Sequence, residues 1–318
     1  MKNYFRFRSE SQANICYPCD KDIVFKNEKT KNYLLLLRHK RFYNIDQVPA
    51  HLQTNSYILK GYRRDLSWYE CVVSFFLFHN ETLNVWTHFF GFGLFTFYLI
   101  RDFIWSEHNN KLFSTANMDD YLMLLLYLLS VIFCMLSSTM LHLLSGCSAK
   151  IYSSCLQLDL LGIAIATLAS ICIELHLLFK CDLYTKYFYQ TSAVLLIATI
   201  VFDHVLKPDN TINSTGFIAV ALAGFIPVLH WIYVNGYNSN VQYFLLHIML
   251  FYAIFGVGIF FFRTKIPERF APGCFDYMGA SHQLWHIFST VAFYWWYQHT
   301  VEFIKYHQTH ACTTVVHM

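Results

Sequence analysis

Residues 121–144 read YLMLLLYLLSVIFCMLSSTMLHLL, 24 positions without a single Asp, Glu, Lys or Arg. A helix needs about 20 apolar residues to cross a bilayer core, so this stretch predicts a membrane span. It ends on a polar note. His142 stands at its last turn, with Ser138 one turn before it on the same face. The next apolar run opens with Asp159, 17 residues after His142. The last long run opens with Ser281-His282-Gln283-Leu284-Trp285-His286, whose two histidines four residues apart share one face of a helix.

Working outward, similar runs occur at about 83–104, 156–179, 186–206, 216–235, 243–263 and 282–304, which makes seven spans. Gly224 and Pro227 fall inside the fifth, where membrane helices tolerate them if neighbours satisfy the freed backbone groups. The composition agrees: 56% hydrophobic and only 14% charged residues exclude an ordinary soluble protein. A net charge of +3 with no nucleic-acid motif excludes an RNA or DNA partner. The fold class expected is an all-α membrane protein with a short interfacial helix before the first span.

Four segments follow: a basic amino-terminal arm (1–60, read as mobile), an interfacial amphipathic helix (61–82), a seven-helix domain (83–304) and a polar tail (305–318). Of the 23 Lys and Arg, 18 fall on the side of residues 1–82, so the positive-inside rule puts the amino terminus in the cytosol and the tail outside or in a lumen. The sequons at Asn80 and Asn213 then face the cytosol and carry no glycan. Ten cysteines suggest no disulfide framework, and the Cys16/Cys19 CxxC has no second pair to make a zinc or redox site.

In this orientation His142, Asp159, His282 and His286 all lie at one depth, in the cytosolic leaflet. Ionisable groups inside a bilayer are costly enough to mark function. Three imidazoles suit Zn2+ with a fourth position open to water, whose pKa falls to about 7. Asp159 is then the candidate base, and Ser138 the group that orients it or a substrate carbonyl. A structural ion pinning spans 2, 3 and 7 fits the same ligands. Elsewhere, Glu81, Asn84, Trp86 and His88 read as helix-helix hydrogen-bonding groups. His230, His247 and Glu174 read as isolated polar groups, and His299, His307, His310 and His317 as parts of a solvated tail.

The motifs Glu81-Thr82-Leu83-Asn84-Val85-Trp86-Thr87-His88, Ser138-x3-His142, Leu158-Asp159-x2-Gly162, Pro267-Glu268-Arg269-Phe270-x-Pro272-Gly273 and Ser281-His282-Gln283-x2-His286 resemble, in order, those of the progestin and adipoQ receptor family. The resemblance spans roughly residues 45–305. It implies seven helices with a cytosolic amino terminus, zinc held by His142, His282 and His286, and Asp159 with Ser138 beside the bound water.

Gln47-Val48-Pro49, Asn55-Ser56-Tyr57-Ile58, Gly61-Tyr62-Arg63 and Tyr294-Trp295-Trp296-Tyr297-Gln298 look most like the branch of that family that traps Raf kinase at the Golgi. That likeness implies a protein of the Golgi membrane, with the plasma membrane as the alternative, whose cytosolic arm sequesters Raf kinase and damps mitogen-activated kinase signalling. Residues 1–40 depart most from the pattern. Two other functions stand beside it: zinc-dependent hydrolysis of a lipid amide such as ceramide, and reception of a lumenal or extracellular ligand. Oligomeric state is not legible.

Overall fold

The computed structural model describes residues 42–104, 117–202 and 215–310. They are helical, with no strand among the described residues. Helix α1 (Trp68–Ser74) is short, and it is followed by α2 (Thr82–Phe103), α3 (Met118–Leu144), α4 (Ala149–Leu178) and α5 (Leu183–Ile200). Then come α6 (Thr215–Ala223), α7 (Phe225–Asn235), α8 (Ser239–Thr264) and α9 (Ser281–Thr309).

Helices α6 and α7 are the two halves of the fifth span. They meet at Gly224, whose N–H still reaches the Val220 carbonyl at 3.0 Å, and Pro227 lies in the first turn of α7, where a missing N–H costs least. Counting them as one, the described residues hold seven helices of spanning length. Five of the seven, all but α5 and α9, are apolar enough to cross a membrane by length and composition alone. The protein is therefore a seven-helix membrane protein.

Its outer surface carries large apolar side chains such as Phe90, Ile104, Leu195 and Leu229, each more than 60% exposed, as expected of a face that meets acyl chains. The interior is aromatic and aliphatic, centred on Phe95, Tyr127, Met135, Ile248, Trp296 and Tyr297. Close packing of α3 on α4 depends on one absent side chain: a Cβ at Gly162 would lie 2.5 Å from Ser137 Oγ and 3.0 Å from the Cys134 backbone. Small residues let membrane helices approach, and here the approach is what sets Asp159, one turn away, beside α3.

The amino-terminal reading needs correction. Residues 42–60 are not a mobile arm but a folded cover. Tyr43 and Tyr62 exchange backbone hydrogen bonds at 2.9 and 3.1 Å, and Val48, Ile58 and Tyr62 bury themselves against Ala280. Two carboxylates from the loop before α9 fasten the cover down. Glu268, fully buried, accepts from Asn55 Nδ2 at 2.9 Å, and Asp276 accepts from the Leu59 N–H at 2.7 Å. Burial raises the Asp276 carboxyl above its usual range. Residues 1–41 lie outside the described residues.

Three other expectations shift. The interfacial helix shortens to α1, whose Ser67 and Glu70 form a capping box at its start. The tail begins later than expected, since α9 runs on to Thr309 and His307 Nε2 bonds the Leu177 carbonyl at 3.0 Å. Cys181 is disulfide-bonded, where the sequence suggests no disulfide framework. Asn213, His317 and the Cys16/Cys19 pair fall outside the described residues.

Candidate metal centre

Each ligand helix arrives with its end fixed. The last turn of α3 carries His142, and the buried Arg63 guanidinium closes that end by donating to the His142 carbonyl at 2.7 Å and the Leu143 carbonyl at 3.1 Å. A cation at a helix C-terminus completes the carbonyls left unpaired there and favours the dipole. The first turns of α9 carry His282 and His286. Glu268 sits at that N-terminus, accepting from the Ser281 N–H at 2.8 Å and from its hydroxyl. An anion there has the complementary effect.

These ends bring three imidazoles together. Ligand atoms of His142, His282 and His286 lie within 4.8 Å of one another, and the Nε2 atoms of His142 and His282 are 3.3 Å apart. Two nitrogens bound to one tetrahedral zinc at about 2.05 Å are separated by roughly 3.3 Å, so the spacing fits. The rings are inclined by 54–68° to one another, which lets their lone pairs converge.

The far side of two rings is already occupied. His142 Nδ1 donates to Glu81 Oε2 at 2.7 Å, and His286 Nδ1 donates to the Asn84 carbonyl at 3.1 Å with the Thr87 hydroxyl 3.2 Å away. Such partners fix the tautomer and leave Nε2 as the free donor atom for a metal. His88 lies flat on His286, 3.7 Å between ring centroids, and holds that ring's plane. The donor set and its supports fit a zinc-class ion.

Asp159 and Ser138 line the same cavity. Ser138 and His142 are the polar side chains nearest the Asp159 carboxylate. The cavity, about 550 Å³, is lined by all five predicted residues and by Leu156, Phe262 and Trp285, and the cover adds His51, Leu52 and Ile58 to its wall. Burial lowers the His51 pKa. Of Glu81, Asn84, Trp86 and His88, read as helix-helix hydrogen-bonding groups, Glu81 bonds a ligand on α3, the Asn84 side chain turns back to Glu81 while its carbonyl meets His286, Trp86 donates to the Phe75 carbonyl, and His88 stacks on His286 without a hydrogen bond among the described residues. Their spacing at the start of α2 was the available signal.

A sequence model of the haemolysin-III-related family matches residues 76–297. Progestin and adipoQ receptor family member 3 of Homo sapiens is 32% identical over 292 residues, covering 89% of this chain and 92% of that protein. The chain belongs to the haemolysin-III-related progestin and adipoQ receptor family. The Mus musculus member 3 matches to the same extent, and heptahelical transmembrane protein 1 of Arabidopsis thaliana is 28% identical over 262 residues, 79% of this chain and 78% of that one. The family match takes in Glu81, Ser138, His142, Asp159, His282 and His286. The word heptahelical agrees with the count of helices found here.

Proposed function

We propose that this family member is a zinc-dependent membrane hydrolase whose substrate is a lipid with an amide carbonyl, of the ceramide type. The observation that carries this reading is the opening of the three-histidine cluster onto a largely apolar cavity that also holds Asp159 and Ser138. A bound zinc would lower the pKa of water to about 7 and polarise a carbonyl. His142, His282 and His286 supply the ligands. Asp159 takes up the proton and Ser138 keeps its carboxylate aimed at the centre. Glu81, Asn84 and Thr87 hold the imidazole planes, and Leu156, Phe262 and Trp285 exclude bulk water and receive the acyl chain.

The placement proposed has the centre at the cytosolic face. Its supports are the 18 basic residues on that side, the free Cys71 and Cys147 near α1, and the disulfide at Cys181 beyond the opposite end of α4. Disulfides persist in oxidising compartments. The test is zinc content of the purified protein beside His282→Ala/His286→Ala, with lipid-amide hydrolysis on the same samples and on Asp159→Ala. Near-stoichiometric zinc and hydrolysis, both lost in the double variant, with hydrolysis alone lost in Asp159→Ala, are expected. Zinc without hydrolysis makes the ion structural, and absence of zinc from wild type rejects the reading.

A second reading is favoured by the likeness to member 3 and by the 13 basic residues in positions 1–82: a Golgi tether that holds Raf kinase through its cytosolic arm. Because the cover starts at Phe42, the informative deletion ends at residue 41. Unchanged kinase co-purification and Golgi retention after that deletion rejects the tether.

A further inference from the structure

A second set of convergent ligand groups lies toward the other end of α9. His299 and Glu302 are one turn apart on α9, and His247 meets them from α8. The rings of His247 and His299 are stacked, with centroids 3.6 Å apart and planes 15° apart. Glu302 Oε2 accepts from His299 Nδ1 at 3.0 Å and from the Tyr243 hydroxyl at 3.0 Å. Ligand atoms of the three residues lie within 4.8 Å of one another. Thirteen residues of helix separate His299 from His286, about 20 Å along the axis, so the two clusters cannot share an ion.

His247 is what makes the cluster unusual. The residue is 9% exposed, and neither ring nitrogen has a hydrogen-bond partner among the described residues. A neutral imidazole has one donor and one acceptor, and buried ones are normally paired. Stacking on His299 and edge contact with Trp295 satisfy the ring's faces, not its nitrogens. With no hydrogen bond to break, only packing against His299, Trp295 and Tyr243 opposes the turn about the side-chain torsion that would direct a lone pair toward an ion held by its neighbours.

We propose that His247, His299 and Glu302 form a second divalent-metal site between α8 and α9, remote from the first. Two imidazoles and one carboxylate select zinc-class ions over magnesium and calcium, which prefer all-oxygen sites. Glu302 is exposed and provides the entry path, while Tyr243 orients its carboxylate. His299 and Glu302 lie past residue 297, where the family match ends. The proposal stands whether or not the first centre hydrolyses lipid.

The experiment counts zinc bound by untagged full-length protein in detergent, equilibrated with chelator-buffered Zn2+ and freed of excess before elemental analysis. Wild type is expected to hold one equivalent more than Glu302→Ala or His299→Ala. The same one-equivalent loss is expected when Glu302→Ala is placed in a His282→Ala/His286→Ala background. His310→Ala/His317→Ala, which removes tail histidines only, should bind as wild type. Glu302→Ala changes an exposed side chain and so tests binding without threatening the fold. Equal zinc in wild type, Glu302→Ala and His299→Ala overturns the proposal, as does loss of the equivalent in the tail variant instead.

Discussion

Removing the carboxylate of Glu81 should weaken metal binding without touching a ligand. Glu81 Oε2 holds His142 Nδ1 at 2.7 Å, and Asn84 Nδ2 in turn donates to the same oxygen at 2.6 Å. In Glu81→Ala the buried His142 ring loses a charge-assisted bond worth about 1.5–3 kcal/mol, together with the partner that selects its tautomer. At 1.4 kcal/mol per decade this predicts zinc affinity roughly 10- to 150-fold weaker, in line with the roughly 10- to 100-fold typical of outer-shell partners. Glu81→Gln keeps an acceptor oxygen but not the charge. A loss of about 1 kcal/mol, near fivefold, is expected there. The assay is competition of each purified variant against a chromophoric chelator of known zinc affinity at neutral pH. The order wild type, Glu81→Gln, Glu81→Ala is the signature. Wild-type affinity in Glu81→Ala, alongside its loss in His282→Ala, would refute the assignment of Glu81 as the support of His142.

Further outcomes follow from the packing. Gly162→Ala places a methyl 2.5 Å from Ser137 Oγ and 3.0 Å from the Cys134 backbone, so α3 and α4 must separate; a cost of about 1–3 kcal/mol should appear as a lower melting temperature with weakened zinc binding. Arg63→Met removes the buried donor to the Leu143 carbonyl and one of two donors to the His142 carbonyl, which Ser145 also reaches, and about 1–3 kcal/mol of stability should be lost in thermal unfolding. Glu268→Gln keeps one acceptor oxygen where Asn55 and Ser281 both donate, so residues 42–60 should become sensitive to limited proteolysis at protease levels that spare wild type. Asn80 is buried, and treatment with a glycosidase should leave the protein's gel mobility unchanged when it is made in eukaryotic cells.

What could be read from the chain was whatever has a short period or a long run. Residues 121–144 declare a span because nothing in them would tolerate water, and His282 and His286 declare a shared face because four residues is one helical turn. Depth matching then linked His142 and Asp159 to them. The cover was missed for the opposite reason. Residues 42–60 mix apolar and polar positions without periodicity, and they are fastened by a pair of carboxylates more than 200 positions away. The Glu81–His142 bond has a gap of 61 residues, and the stacking of His247 on His299 depends on the register of α8 against α9; no local pattern encodes either. His230 and Glu174, read as isolated, find Tyr189 at 3.2 Å and Tyr252 at 3.3 Å by the same kind of long-range pairing.

The wide sequence separation of these contacts also dictates an order in time. Asn55 waits for Glu268, 213 residues later, and Leu59 for Asp276, 217 residues later. At ribosomal rates of about 5–20 residues per second, that wait is roughly 10–40 s. His142 can meet Glu81 well before then, but the other two imidazoles, His282 and His286, emerge only with the last helix. Until then the nascent chain carries one imidazole of the three. The three imidazoles can act as a set only after the last helix has been inserted, and residues 42–60, made long before, find their carboxylate partners and their place in the cavity wall at that same late stage.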